Sequence, residues 1–78
     1  MKILTYEEAL QRSDNQDWFK TFYKKEEIAS DEDVKKINSL ASQNPQLLEE
    51  YFEDNEDILL QKEYVEDLID FLRENTFI

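Results

Sequence analysis

Not one of the 78 residues is glycine, and only one is proline. Glycine supplies the positive φ angles that two-residue hairpin turns and many helix ends use. Turn chemistry is therefore sparse, and helix starts give the best punctuation along the chain. No segment sustains the period-2 alternation of apolar and polar residues that marks a half-buried strand. The expected fold is all-α: a single small domain over residues 1–78, with four or five short helices around one core.

Thr5-Tyr6-Glu7-Glu8 reads as a capping box, in which Thr5 accepts from an early amide and Glu8 reaches back. It predicts a short helix over 7–12 with Ala9 and Leu10 inward, after an extended lead-in at 2–4. Ser13-Asp14-Asn15-Gln16 is a second cap-like cluster, opening a helix over 17–28. Trp18, Phe19, Phe22 and Tyr23 share one face of it. Lys24 and Lys25 near its end suit the negative pole of the helix. Ser30-Asp31-Glu32-Asp33 begins a third helix, with Val34, Ile37, Leu40 and Ala41 inward and an end near Gln43. Asn44-Pro45 begins a fourth, with Asn44 capping and Pro45 in the first turn, where no amide proton is needed. Leu47, Leu48, Tyr51 and Phe52 form its buried side. Asp54-Asn55-Glu56-Asp57 is a break, after which a last helix runs to about Asn75. Leu60, Tyr64, Val65, Leu68, Ile69, Phe71 and Leu72 make its inward stripe. Leu59 falls on the acidic side of that helix, so either the break extends to it or it is exposed to a partner.

High charge and mean hydropathy of −0.81 lean toward disorder. Ten aromatics, including Tyr51, Tyr64, Phe71 and Phe77, argue for a folded core instead. A chain this short buries only about 60% of its unfolded surface, so stability is expected to be marginal. Repulsion within a chain of net charge −11 lowers it further, most at low salt.

The absence of Cys and His removes disulfides, Cys/His zinc sites, and catalysis by imidazole or thiolate. Without glycine there is no phosphate-cradling loop. Exposed helix faces on 78 residues leave little room for a cleft holding a catalytic carboxylate pair, so the protein is expected not to be an enzyme. The 54–57 stretch lacks the glycine and the spacing of an EF-hand loop. No cofactor and no dedicated metal site are expected. Met1-Lys2-Ile3-Leu4 turns polar at Thr5, short of a signal-peptide core, and no run approaches the length of a membrane span. With zero cysteines, these features lead to the expectation of a cytoplasmic protein.

Charge is spread unevenly. Residues 1–48 carry nine acids and seven bases, a net −2, whereas residues 49–78 carry eleven acids and two bases, a net −9. The acids of the second part fall on the predicted outward faces of two consecutive helices. Glu63, Glu66, Asp67, Asp70 and Glu74 make one narrow stripe, with like charges at i,i+4 that destabilise a helix by about 0.2–0.5 kcal/mol each. A surface shaped only for solubility would mix the two signs. Carboxylates at this spacing stand about 5–6 Å apart at Cβ, comparable with phosphates along a nucleic-acid strand. The surface is therefore expected to recruit a basic protein, through Glu49, Glu50, Glu53, Asp54, Glu56, Asp57, Glu63, Glu66, Asp67 and Asp70, with Leu59 as an apolar anchor. The bland alternative is a solvated face. The charge opposes direct binding to nucleic acid and to an anionic membrane.

Trp18, Phe19, Phe22 and Tyr23, with nearby Lys20, Lys24, Lys25, Lys35 and Lys36, have the composition of a base-stacking surface. A domain this small needs its aromatics inside, so these are assigned to the core. The lysines could also meet the acidic half of a second copy, giving weak self-association.

In composition alone, the chain resembles the small acidic proteins with which phages block host defence nucleases, the anti-restriction and anti-CRISPR nucleic-acid mimics. The shared features are short length, strong negative charge and no catalytic equipment. That resemblance implies stoichiometric inhibition, with the acidic face occupying a nucleic-acid channel. Two alternatives stay open: an immunity protein or antitoxin that neutralises a basic toxin, and a structural or regulatory subunit whose acidity serves solubility.

Overall fold

Hydrogen bonds at the helix starts set the frame of the fold. In a computed structural model, which describes residues 1–76, Thr5 and Glu8 close the expected capping box. The Glu8 N–H donates to Thr5 Oγ1 and the Thr5 N–H to Glu8 Oε1, both at 3.1 Å. This starts α1 (Tyr6–Arg12). Asn15 accepts from the Trp18 N–H at 3.0 Å and starts α2 (Gln16–Phe22). Ser30 accepts from the Asp33 N–H at 3.2 Å and starts α3 (Asp31–Ala41). Two more helices follow, α4 (Gln46–Phe52) and α5 (Val65–Thr76). The fold is all-α in class, with five short helices among the described residues and one small addition. Ile3–Leu4 (β1) and Ile58–Leu59 (β2) form a two-residue parallel pair, with Ile3 opposite Ile58 and Leu4 opposite Leu59.

That pair divides the interior. Successive strand residues point to opposite faces. Ile3 and Ile58 pack on one side, into a cluster built by Val34, Ile37, Leu48, Leu68 and Leu72. Leu4 and Leu59 pack on the other, against Tyr6, Leu10, Phe19 and Ile28. The single core expected from helical periodicity is thus two hydrophobic clusters on either side of a short buried ladder. Parallel strands covered on both faces are the usual arrangement.

Extended pairing, in the ladder and just beyond it, also corrects two helix boundaries. The helix expected over 17–28 ends at Phe22, and Lys25–Glu27 form one 3-10 turn. Ile28 and Ala29 are extended because they bond the opposite segment: Ile28 bridges Gln61, and the Ala29 N–H donates to Leu60 O at 3.0 Å. The last helix does not begin after the 54–57 break. Ile58 and Leu59 are committed to β2, Lys62–Tyr64 form a second 3-10 turn, and α5 starts only at Val65. Leu60 is buried as expected, but it lies between β2 and the second 3-10 turn and not on the last helix.

Smaller differences have local causes. Pro45 has helical dihedrals (φ −60°, ψ −22°) just before α4, and among the described residues no side chain caps that helix. The Leu47 N–H instead bonds Asn44 O at 3.1 Å. At its far end α4 stops on Glu53 in the left-handed region (φ 54°, ψ 37°). A helix ending this way usually places glycine there, and this chain has none. Phe77 lies outside the described residues.

Candidate partner-binding surface

The expected acidic face does not form one uniform environment. One part is the outer side of α4. Leu47 and Leu48 turn inward, which carries Glu49 and Glu50 outward by helical period, and both are exposed. Glu53 and Asp54 continue from them. Asp54 Oδ1 accepts from the backbone N–H of Asn55 (2.7 Å) and of Glu56 (3.2 Å), so this carboxylate shapes the turn that presents Glu53 and Glu56.

Asp57 is different. Its Oδ1 accepts from the Lys2 N–H and its Oδ2 from Arg12 Nη1, each at 2.9 Å. The Arg12 guanidinium, followed by the Lys2 amide, holds the Asp57 carboxyl below the usual carboxylate range. Asp57 therefore ties β2 to β1 and α1, and its charge is shared with Arg12 within the fold. The nearby Lys2–Glu8 pair (2.7 Å) is a second internal tie. Hydrogen bonds from Lys2 Nζ and then the Thr5 amide lower Glu8 to about 2.

Glu63 leaves the expected stripe. It sits in the 3-10 turn before α5 and lines a groove of about 620 Å³ with Phe22, Tyr23, Lys24, Glu27, Ile28, Gln61 and Lys62. Leu59 is half-buried in β2 and packs on the second cluster, so it is not an exposed anchor. Tyr64, expected inward, is 47% exposed because the same turn rotates it off the helical face.

On α5, Val65, Leu68, Ile69 and Leu72 are buried, and Glu66, Asp67, Asp70 and Glu74 are exposed. These four do not share one environment. Glu66 and Asp70 border a hollow with Lys36 and Arg73 but belong to neither ion pair found within 4 Å among the described residues. Asp67 lies toward α4. There Tyr51, whose ring is 5.2 Å from that of Phe71, has its phenol pKa raised by burial first and by the Asp67 charge second.

The exposed apolar surface lies elsewhere. Trp18 is 55% exposed and Phe22 is 63% exposed, with their rings stacked at 5.1 Å. Their assignment to the core is therefore corrected. The four aromatics form two i,i+4 pairs on a helix of two turns. Phe19 and Tyr23 turn toward Tyr6 and Leu10, which leaves Trp18 and Phe22 outside. The sequence carried no signal for this, because the helix expected over 17–28 ends at Phe22 only in the fold, and two turns against one neighbour bury one such pair and not both.

Among the described residues no cluster of three or more His, Cys, Asp or Glu is placed to hold a metal ion, and no helix is long and apolar enough to cross a membrane. No known family model matches this chain, and neither a curated protein nor a solved structure matches it.

Proposed function

We propose that this protein is a non-catalytic binder. It presents the carboxylates of α4, the 53–56 turn and α5 to a basic protein surface that otherwise holds DNA or RNA, and so excludes the nucleic acid. The partner chemistry is that of a nucleic-acid channel in a nuclease or defence complex. The mode of action is that of the anti-restriction and anti-CRISPR mimics that the chain resembles in composition.

One observation carries this reading: the excess charge is left unneutralised. Among the described residues there are two ion pairs within 4 Å, Lys2–Glu8 and Arg12–Asp57. Glu49, Glu50, Glu53, Asp54, Glu56, Glu63, Glu66, Asp67 and Asp70 are exposed and belong to neither. An unpaired acidic surface keeps its long-range field, which steers a basic partner and raises its rate of encounter.

The test is capture of partners from the source cell on the immobilised protein at low and high salt, with identification by mass spectrometry and competition by duplex DNA or RNA. The expected result is a basic nucleic-acid-binding protein, released by salt and displaced by nucleic acid. Glu49→Lys with Glu50→Lys should reduce that capture at least tenfold, while the circular dichroism spectrum stays native. Capture of one small basic toxin would instead make the protein an immunity factor. A salt-insensitive partner, or none, would leave the acids as solvation only.

A further inference from the structure

We infer that the stacked Trp18–Phe22 pair and the groove beside it form a two-fold contact between two copies of this chain. This inference does not depend on the reading of the acidic face.

The first support is the position of the apolar surface. Three large hydrophobic side chains are exposed among the described residues, Trp18, Phe22 and Tyr64. Two of them stand one turn apart on α2 and stack on each other, so they form a contiguous patch. Contiguous exposed apolar surface marks interaction sites more often than scattered single residues do. Phe22 also forms one wall of the 620 Å³ groove, with Tyr23 and Ile28 behind it. A protruding indole therefore stands next to a hollow that can receive one, as a self-complementary contact requires.

The second support is charge, which selects a second copy over other occupants. The rim of the groove carries two bases, Lys24 and Lys62, and two acids, Glu27 and Glu63. A rim of balanced sign attracts neither a uniformly basic nor a uniformly acidic partner. It does complement itself, because a two-fold rotation can set the lysines of one copy against the glutamates of the other. The surrounding field favours the same approach. Two chains of charge −11 repel, and they do so least where residues 1–48, with a net charge of −2, meet each other. The aromatic patch lies in that near-neutral part, the two rim charges from the acidic part, Lys62 and Glu63, are of opposite sign, and the contact leaves the outer faces of α4 and α5 uncovered.

The contact is small. At their observed exposures, Trp18 and Phe22 from two copies supply roughly 500 Å² of apolar surface, given about 150–250 Å² for a whole aromatic side chain. Stable interfaces bury about 1,200–2,000 Å². The dimer is thus of the weak, concentration-dependent class, and raising salt strengthens it by screening the net repulsion.

Sedimentation velocity and Trp18 fluorescence on the intact chain test this from about 10 μM to about 1 mM. Trp18 is the one tryptophan, and because its stacking on Phe22 within the chain does not change with concentration, the concentration dependence of its emission reports on the contact. The expected result is a mass that rises from monomer toward dimer with a parallel blue shift, both lost in Phe22→Ala. A double variant Lys24→Glu/Lys62→Glu has an all-acid rim, and Glu27→Lys/Glu63→Lys has an all-base rim. Each alone should remain monomeric, and an equimolar mixture should associate again. A monomer with unshifted emission over the whole range overturns the inference, as does association that survives Phe22→Ala. Failure of the mixed variants to associate overturns the two-fold rim pairing. Circular dichroism and urea midpoints of each variant distinguish loss of contact from loss of fold.

Discussion

Asn38, on α3, closes two hydrogen bonds with the backbone of Ile3. Its Oδ1 accepts from the Ile3 N–H and its Nδ2 donates to Ile3 O, each at 2.9 Å. Lys2 O, the carbonyl just before β1, accepts from the Ile58 N–H of β2 at 3.1 Å. Lys2 O and the Ile3 N–H belong to one peptide group and point to opposite edges of the strand, so Asn38 occupies the edge of β1 that β2 does not. One side-chain amide thus acts as a third strand one residue long. It meets the need of a buried backbone donor and acceptor, because Ile3 has no solvent exposure.

Replacing Asn38 with Ala leaves both groups of Ile3 without a partner. Each unmet buried group costs about 1–3 kcal/mol, so the expected loss is about 2–4 kcal/mol in urea unfolding. Asn38→Asp should lose at least as much at neutral pH, because it sets a carboxylate against the Ile3 carbonyl. A loss below about 0.5 kcal/mol for the alanine variant would mean that water replaces the amide.

Two exposed carboxylates make stability pH-dependent. Glu8 is lowered from its usual 4.5 to about 2 by Lys2 and the Thr5 amide, and Asp57 is lowered by Arg12 and the Lys2 amide. A group with a depressed folded-state pKa stabilises the fold above its unfolded pKa and ceases to do so as pH falls through the folded value. The stability gap between the native chain and Glu8→Gln is therefore expected in full at neutral pH. It should narrow below 4.5 and close near 2. Urea midpoints at several pH values measure it, and a gap constant with pH would refute the assignment. Comparing the two proteins also cancels the general relief of repulsion that acid brings to a chain of net charge −11.

Glu53 ends α4 with φ 54° in a chain that has no glycine to place there. A β-carbon in the left-handed region costs about 1–2 kcal/mol. Part of the gain from removing it is returned through the greater freedom of glycine in the unfolded chain. Glu53→Gly is expected to raise stability by about 0.5–1 kcal/mol, read from the urea midpoint at unchanged slope. A lower midpoint would show that the glutamate side chain makes a contribution larger than the backbone strain.

Glu74 lies in the last turns of α5, four residues after Asp70, where both the helix dipole and its neighbour disfavour an acid. Glu74→Lys turns that repulsion into attraction and should stabilise the fold by about 0.5–1 kcal/mol at low salt, with a smaller gain at high salt. It lies outside the proposed contact set, so partner capture should persist. A stabilised variant that has lost capture would extend the contact surface to the end of α5.

The legible part of this protein was local. The Thr5–Glu8 capping box and the Ser30 cap join residues three apart, and both formed as the sequence predicts. The inward positions of α3 and α5 recur at helical period, and Val34, Ile37, Ala41, Leu68 and Leu72 are buried. The helical class, the lack of catalytic thiol and imidazole, and the concentration of charge after residue 48 also follow from residue order alone.

Tertiary structure decided what depends on contacts between distant residues. The β1–β2 ladder joins segments 55 residues apart, and a strand of two residues is too short to show any period. Once formed, that ladder keeps Ile58–Leu59 out of α5 and makes Leu59 half-buried, and the bridge from Ile28 to Gln61 just beyond it keeps Ile28 out of the helix expected over 17–28. The Arg12–Asp57 pair spans 45 residues and ties one acid of a surface that looked uniform in sequence to a base of α1. The same holds for α2, where period places four aromatics on one side but only packing against Tyr6 and Leu10 selects Phe19 and Tyr23 for burial. Capping and periodicity are set by neighbours within one helical turn, whereas strand pairing, ion pairing and the choice of buried face depend on which distant groups the folded chain brings together.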